Sequence, residues 1–214
     1  MDFPFTVDQF LDVFRQYNEA IWPAQIFLNL LAFIAIVLAF WKKPYSGKLI
    51  SYILAFLWFW TGIIYHILFF STINPIARVF GSIFILQGGL FHWIGGVRNR
   101  IEYEVKFDLR GSLGLVFVFY GLLIYPLLGT WIGHVYPMSP TFGAPCPTTI
   151  FTFGVLLWTQ GKFPRFLLII PAFWSLLGFT AASTMGIKED LGLLVAGIVG
   201  TTLLSLPKKI VTPS

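Results

Sequence analysis

The chain has 214 residues, of which 57% are hydrophobic and only 11% charged; this leaves room for one membrane domain and excludes a soluble globule, whose helices need polar faces. Its net charge of +5 does not indicate nucleic-acid binding, because the positive residues flank apolar runs, where they meet lipid headgroups. One cysteine excludes an internal disulfide.

Residues 6–21 read as an amphipathic helix. Thr6 and Gln9 fit a capping box, and Phe10, Val13, Phe14, Tyr17 and Ile21 recur at helical spacing with Asp8, Asp12 and Glu19 facing water. Residues 1–21 are therefore expected to form an interfacial helix on the outer surface that turns into a first span at Pro23. The acids there, and the lack of a basic leader, give no sign of a cleavable signal.

Seven apolar runs follow, at 22–41, 49–70, 74–97, 112–136, 147–160, 164–185 and 190–206. Most approach the ~20 residues that span a hydrocarbon core of ~30 Å. Eleven of the 14 Lys and Arg residues lie in every second gap: Lys42, Lys43 and Lys48; Arg98, Arg100, Lys106 and Arg110; Lys162 and Arg165; Lys208 and Lys209. The positive-inside rule then predicts an all-α integral membrane protein of seven transmembrane helices, N-terminus outside and C-terminus cytoplasmic. The membrane domain covers 22–207 with a cytoplasmic loop at 98–110, and 208–214 form a cytoplasmic tail. Within that loop, residues 101–110 alternate apolar and charged side chains. Period two predicts an extended segment with Ile101, Tyr103, Val105, Phe107 and Leu109 on one face, against the bundle or a second copy.

Small residues at Gly192, Ala196 and Gly200 form a close-packing stripe, within the chain or between copies of a homo-oligomer. Pro126 and Pro171 fall inside apolar runs, and each frees a backbone carbonyl.

Residues 142–154, Phe-Gly-Ala-Pro-Cys-Pro-Thr-Thr-Ile-Phe-Thr-Phe-Gly, are the most specific stretch. Proline suits the first helical position, so Pro147 predicts Cys146 as the N-cap of the fifth span. The helix N-terminus then favours a thiolate, the form that binds soft metals. From Pro147 to Gln160 a helix covers only ~21 Å, so the preceding segment must dip inward, which is tolerated only where it is buried in protein or lines a wet cavity. This stretch resembles a Phe-Gly-x-Pro-Cys-Pro-Thr motif in an uncharacterised family of prokaryotic multi-pass membrane proteins. The resemblance implies an integral protein of the cytoplasmic (inner) membrane and carries no activity with it.

At ~1.5 Å per residue, Cys146, His66, Asp190, Tyr125 and Arg78 fall between about 20 and 28 Å above the cytoplasmic ends of their spans. Ionisable groups at such depth are costly and usually functional or paired. The candidate pocket is Cys146, His66, Tyr65, Tyr125, Arg78, Glu189, Asp190 and His134. It predicts a small transporter or channel-like protein with an outward-facing polar pocket, its cargo a soft metal ion or a small polar solute. Alternatives are a redox or haem protein using His66, His134 and Cys146, and a non-catalytic accessory subunit. No cofactor is required by the sequence: there is no Cys-x-x-Cys-His, no nucleotide loop, no Ser-His-Asp pattern and no mid-span Lys for a Schiff base. The expected partner is the lipid bilayer, with no nucleic acid.

Overall fold

The computed structural model describes residues 4–206. Residues 1–3 of the expected interfacial segment and, at the other end, Lys208, Lys209 and the tail at 208–214 lie outside the described residues. Among the described residues the fold is helical apart from one two-residue ladder and an isolated bridge between Phe142 and Ala144.

Helix α1 (Val7–Ile21) opens with the expected capping box: Thr6 Oγ1 accepts from the Gln9 amide, and the Gln9 side chain accepts from the Thr6 amide. Its apolar face does not lie free. Val13, Phe14, Tyr17, Asn18 and Ile21 are buried against the rest of the chain.

Among the described residues, five helices are long and apolar enough to cross a membrane: α2 (Ala24–Trp41), α3 (Ser46–Thr72), α4 (Ala77–Val97), α5 (Leu109–Trp131) and α7 (Arg165–Thr184). The fifth and seventh apolar runs form shorter helices, α6 (Pro145–Leu157, 13 residues) and α8 (Leu191–Ser205, 15 residues). The 3₁₀ turn Lys188–Asp190 leads directly into α8.

Helix α6 is the axis of the fold. Every residue from Pro147 to Leu157 is buried, so no helix face is left to meet solvent or lipid. Glycines let α5 approach it closely: a Cβ on Gly154 would come within 2.7 Å of the Gly114 carbonyl oxygen. Trp58 of α3 donates to Thr152 Oγ1 at 3.0 Å, holding the other side. The outer helices instead expose apolar side chains along one face each, as at Phe33 of α2, Leu86 of α4, Leu127 of α5, Phe173 of α7 and Ile198 of α8.

The chain sorts its connections into two ends. At one end, β1 (Glu102–Tyr103) pairs antiparallel with β2 (Thr159–Gln160), Glu102 opposite Gln160. The Val105 amide reaches the Ala39 carbonyl at 3.1 Å, and Lys42 pairs with Glu104 at 2.7 Å. Arg110 donates to the carbonyls of Leu203 and Leu206. At the opposite end Asn18 donates to the carbonyls of Pro137 and Ser139 at 2.7 and 2.8 Å, and Tyr17 to Gly143 at 2.9 Å. The basic gaps among the described residues thus share one end.

The 101–110 expectation needs correction. The extended part holds for Ile101 and Tyr103, both buried, and its edge is paired within this chain. Phe107 and Leu109 are 90% and 67% exposed, because Asp108 caps α5 through the Gly111 amide at 2.7 Å and the alternation stops there. The Gly192, Ala196 and Gly200 stripe is also used internally. Gly192 lies against the Tyr120 ring, Gly200 against Phe153, and Ala196 is fully buried.

Pro171 lies near the start of α7, whose regular part begins at Ile169 after a 3₁₀ turn. The backbone bond that it cannot make is replaced from another helix: Gln87 of α4 donates to the Leu167 carbonyl at 3.1 Å. The carbonyl freed by proline is therefore a tether between helices.

Candidate functional site

Three local departures from regular α-helix shape the end that carries α1. In α3, residues Thr61–Phe69 form a π-helical stretch holding Tyr65 and His66. In α5, a π turn at Tyr120–Ile124 lets the Tyr125 amide bond the Tyr120 carbonyl, just before Pro126. Single π turns accommodate a residue that cannot continue the i→i−4 ladder, and they recur at functional sites. At α6, Ala144 is the N-cap in an extended conformation and Pro145 takes the first helical position.

Cys146 is therefore the second residue of α6, not its N-cap as expected. Pro145, rather than Pro147, fills the favoured first position. The sulfur lies beside Asp190 and Trp174. An acceptor carboxylate faces it, so the thiol serves as a hydrogen-bond donor and the expected thiolate loses its support.

A cavity of about 420 Å³ lies among the start of α1, the π stretch of α3, the first turns of α4 and α6, and α7. Pro4, Ile76 and Thr180 are exposed and lie at its edge. Its walls are mostly apolar, with aromatic rings among them that include Phe10, Phe14, Phe80 and Trp174. Its polar groups come from Tyr65, His66, Asn74, Tyr125, Cys146 and Asp190.

His66 is fully buried, and among the described residues neither of its ring nitrogens has a hydrogen-bond partner. The rings of Phe84 and Trp174 stand 4.7 and 5.0 Å from its own, centroid to centroid. Asp190, also buried, accepts the Tyr125 hydroxyl on Oδ1. Glu189 points the other way. It meets His134 Nδ1 at 3.0 Å behind the cavity, while Tyr120 donates to its backbone carbonyl at 2.8 Å.

Of the eight candidate residues, Cys146, His66, Tyr65, Tyr125 and Asp190 thus line one space. Glu189 and His134 form a supporting pair that does not line it. Arg78 is exposed and stays outside it. Trp174, Phe80 and the α1 side chains were not expected in the site. For α1 a clue existed: Asn18 stands on the apolar face between Phe14 and Ile21, where a lipid-facing helix would not keep an amide. Asn18 Oδ1 accepts from Gln25 and Thr141, at 2.8 and 2.7 Å.

Among the described residues no group of three or more His, Cys, Asp or Glu could hold a metal ion. His66 lines the cavity and His134 does not, so the two imidazoles do not face one another across it.

A family model described as a family of unknown function, DUF6064, matches residues 7–212. The chain belongs to the DUF6064 family. The match embraces every helix described above, so the aromatic cavity is built wholly from family sequence apart from its Pro4–Phe5 edge. No curated protein matches this DUF6064 chain, and no solved structure matches it.

Proposed function

We propose that this DUF6064 protein is an integral membrane protein of the prokaryotic inner membrane, a small transporter whose outward-facing pocket takes an organic solute. Seven helices cross the bilayer, with the N-terminus outside and the C-terminus in the cytoplasm. The exposed apolar faces of the outer helices support the bilayer as partner, since soluble proteins rarely carry contiguous apolar surface on this scale. The gathering of the basic gaps at one end supports the orientation. The two short helices are compatible with it. Helix α6 is shielded from lipid by its neighbours, and α8 with its leading turn covers 188–205, about 27 Å.

The observation that carries the reading is the cavity of about 420 Å³ at the outer end, where five candidate residues from four segments meet. Its size is that of small-molecule pockets: mostly apolar walls with a few polar groups that fix orientation. The scattered metal donors favour an organic solute over a soft metal ion. The flanking π segments in α3 and α5 are of the kind that recurs at functional sites.

Native mass spectrometry of the full chain in detergent tests this. The wild type should retain a bound small molecule that Ala181→Trp, which fills the cavity wall, loses. Identical adducts on both proteins would remove the pocket from the account.

A further inference from the structure

Among the described residues no cationic side chain meets Asp190. It is 1% exposed, and the side chains that meet it are the Tyr125 hydroxyl and the Cys146 thiol, both neutral hydrogen-bond donors. Its neighbour Glu189 is a second acid, and the facing His134 is spent on that acid. Among the described residues no Lys or Arg lines the cavity. A buried carboxylate without a counter-charge is unfavourable, and a positively charged occupant relieves it.

The walls select the kind of cation. Phe10, Phe14, Tyr65, Phe80 and Trp174 border the same space, and aromatic faces attract organic cations while offering no ligand to a hard metal ion. His66 supplies the second polar contact. It is fully buried in the lining with both ring nitrogens unpartnered among the described residues, and a neutral imidazole keeps one nitrogen free to accept an N–H. We infer that the pocket of the proposed function takes an organic ammonium ion, a protonated primary or secondary amine with an apolar body, its N–H groups donating to Asp190 and His66. The inference rests on the pocket reading and specifies its ligand. An anion would face Asp190, and a neutral alcohol would bring no charge to meet it.

Three probes of one length separate these classes: hexylammonium, hexanol and hexanoate. The readout is the alkylation rate of Cys146, the sole cysteine, in the purified full chain. Hexylammonium should slow alkylation at least ten-fold at a concentration where hexanol and hexanoate slow it less than two-fold. Asp190→Asn should abolish that difference. His66→Phe should weaken protection by hexylammonium at least three-fold while leaving protection by hexyltrimethylammonium, which has no N–H, unchanged. Equal protection by hexanol, or an ammonium preference that survives Asp190→Asn, overturns the inference. So does protection by none of the probes. If the adduct lost in Ala181→Trp is nonetheless present, the pocket itself stands; if that adduct is unaffected, the pocket reading has failed separately.

Discussion

The Tyr125 hydroxyl donates to Oδ1 of Asp190, tying the middle of α5 to the turn that opens α8. The π turn ahead of Pro126 sets the direction of Tyr125, and the 3₁₀ turn Lys188–Asp190 brings the carboxylate inward. Tyr125→Phe removes the donor and leaves a buried carboxylate oxygen short of a partner. It should lower stability in detergent by about 1–3 kcal/mol, the cost of an unsatisfied buried polar group. Thermal unfolding against Asp190→Asn as a second variant checks this; an unchanged Tm for Tyr125→Phe would show that the bond contributes nothing.

The approach of α5 to α6 depends on absent side chains. A Cβ at Gly154 would stand 2.7 Å from the Gly114 carbonyl oxygen and 2.8 Å from the Val118 amide nitrogen, both backbone atoms that cannot yield without shifting a helix. Gly154→Val should therefore destabilise by about 1–3 kcal/mol or more. Gly89 of α4, where a Cβ meets nothing within 4 Å, is the control. Gly89→Ala should be neutral, or stabilising by roughly 0.5–1 kcal/mol. Similar folded yields for the two variants would contradict the packing described.

Behind the pocket, Glu189 is buried and has His134 as its side-chain partner at 3.0 Å. His134→Ala leaves an acid stranded and should cost stability on the order of 1–3 kcal/mol. Adding Glu189→Gln should recover much of that loss, since a neutral amide is less costly to bury unpaired. The double-mutant cycle reads this coupling directly, and strict additivity would deny it.

Reporter fusions test the orientation. A fusion after Leu49 and one after Leu206 should report the cytoplasm, and one at Pro140 the outside. Any arrangement that puts Leu49 and Pro140 on one side would remove the membrane account with it.

Much of this was legible in the sequence because apolar length and charge placement are local properties. All seven apolar runs became helices within a few residues of their expected ends, and Thr6–Gln9 capped α1 as its spacing required. Counting residues from the basic gaps brought Cys146, His66, Tyr125 and Asp190 to a common level, and the cavity joins them. What the sequence could not supply is how each helix is turned about its axis. Arg78 shares that level yet faces away, and Trp174 faces in with nothing nearby to mark it. The partner of 102–103 was equally hidden, since Thr159–Gln160 is too short a strand to show periodicity. Cys146 was displaced from the N-cap because two prolines compete for the first helical position, and Pro145 takes it.

Access to the pocket from outside is the central claim, and Cys146 reports on it. In right-side-out vesicles, a positively charged, membrane-impermeant methanethiosulfonate reagent added outside should modify Cys146 in the folded wild type, and Ala181→Trp should block the reaction. Modification only after denaturation, or only when the reagent is trapped inside, would contradict an outward-facing pocket.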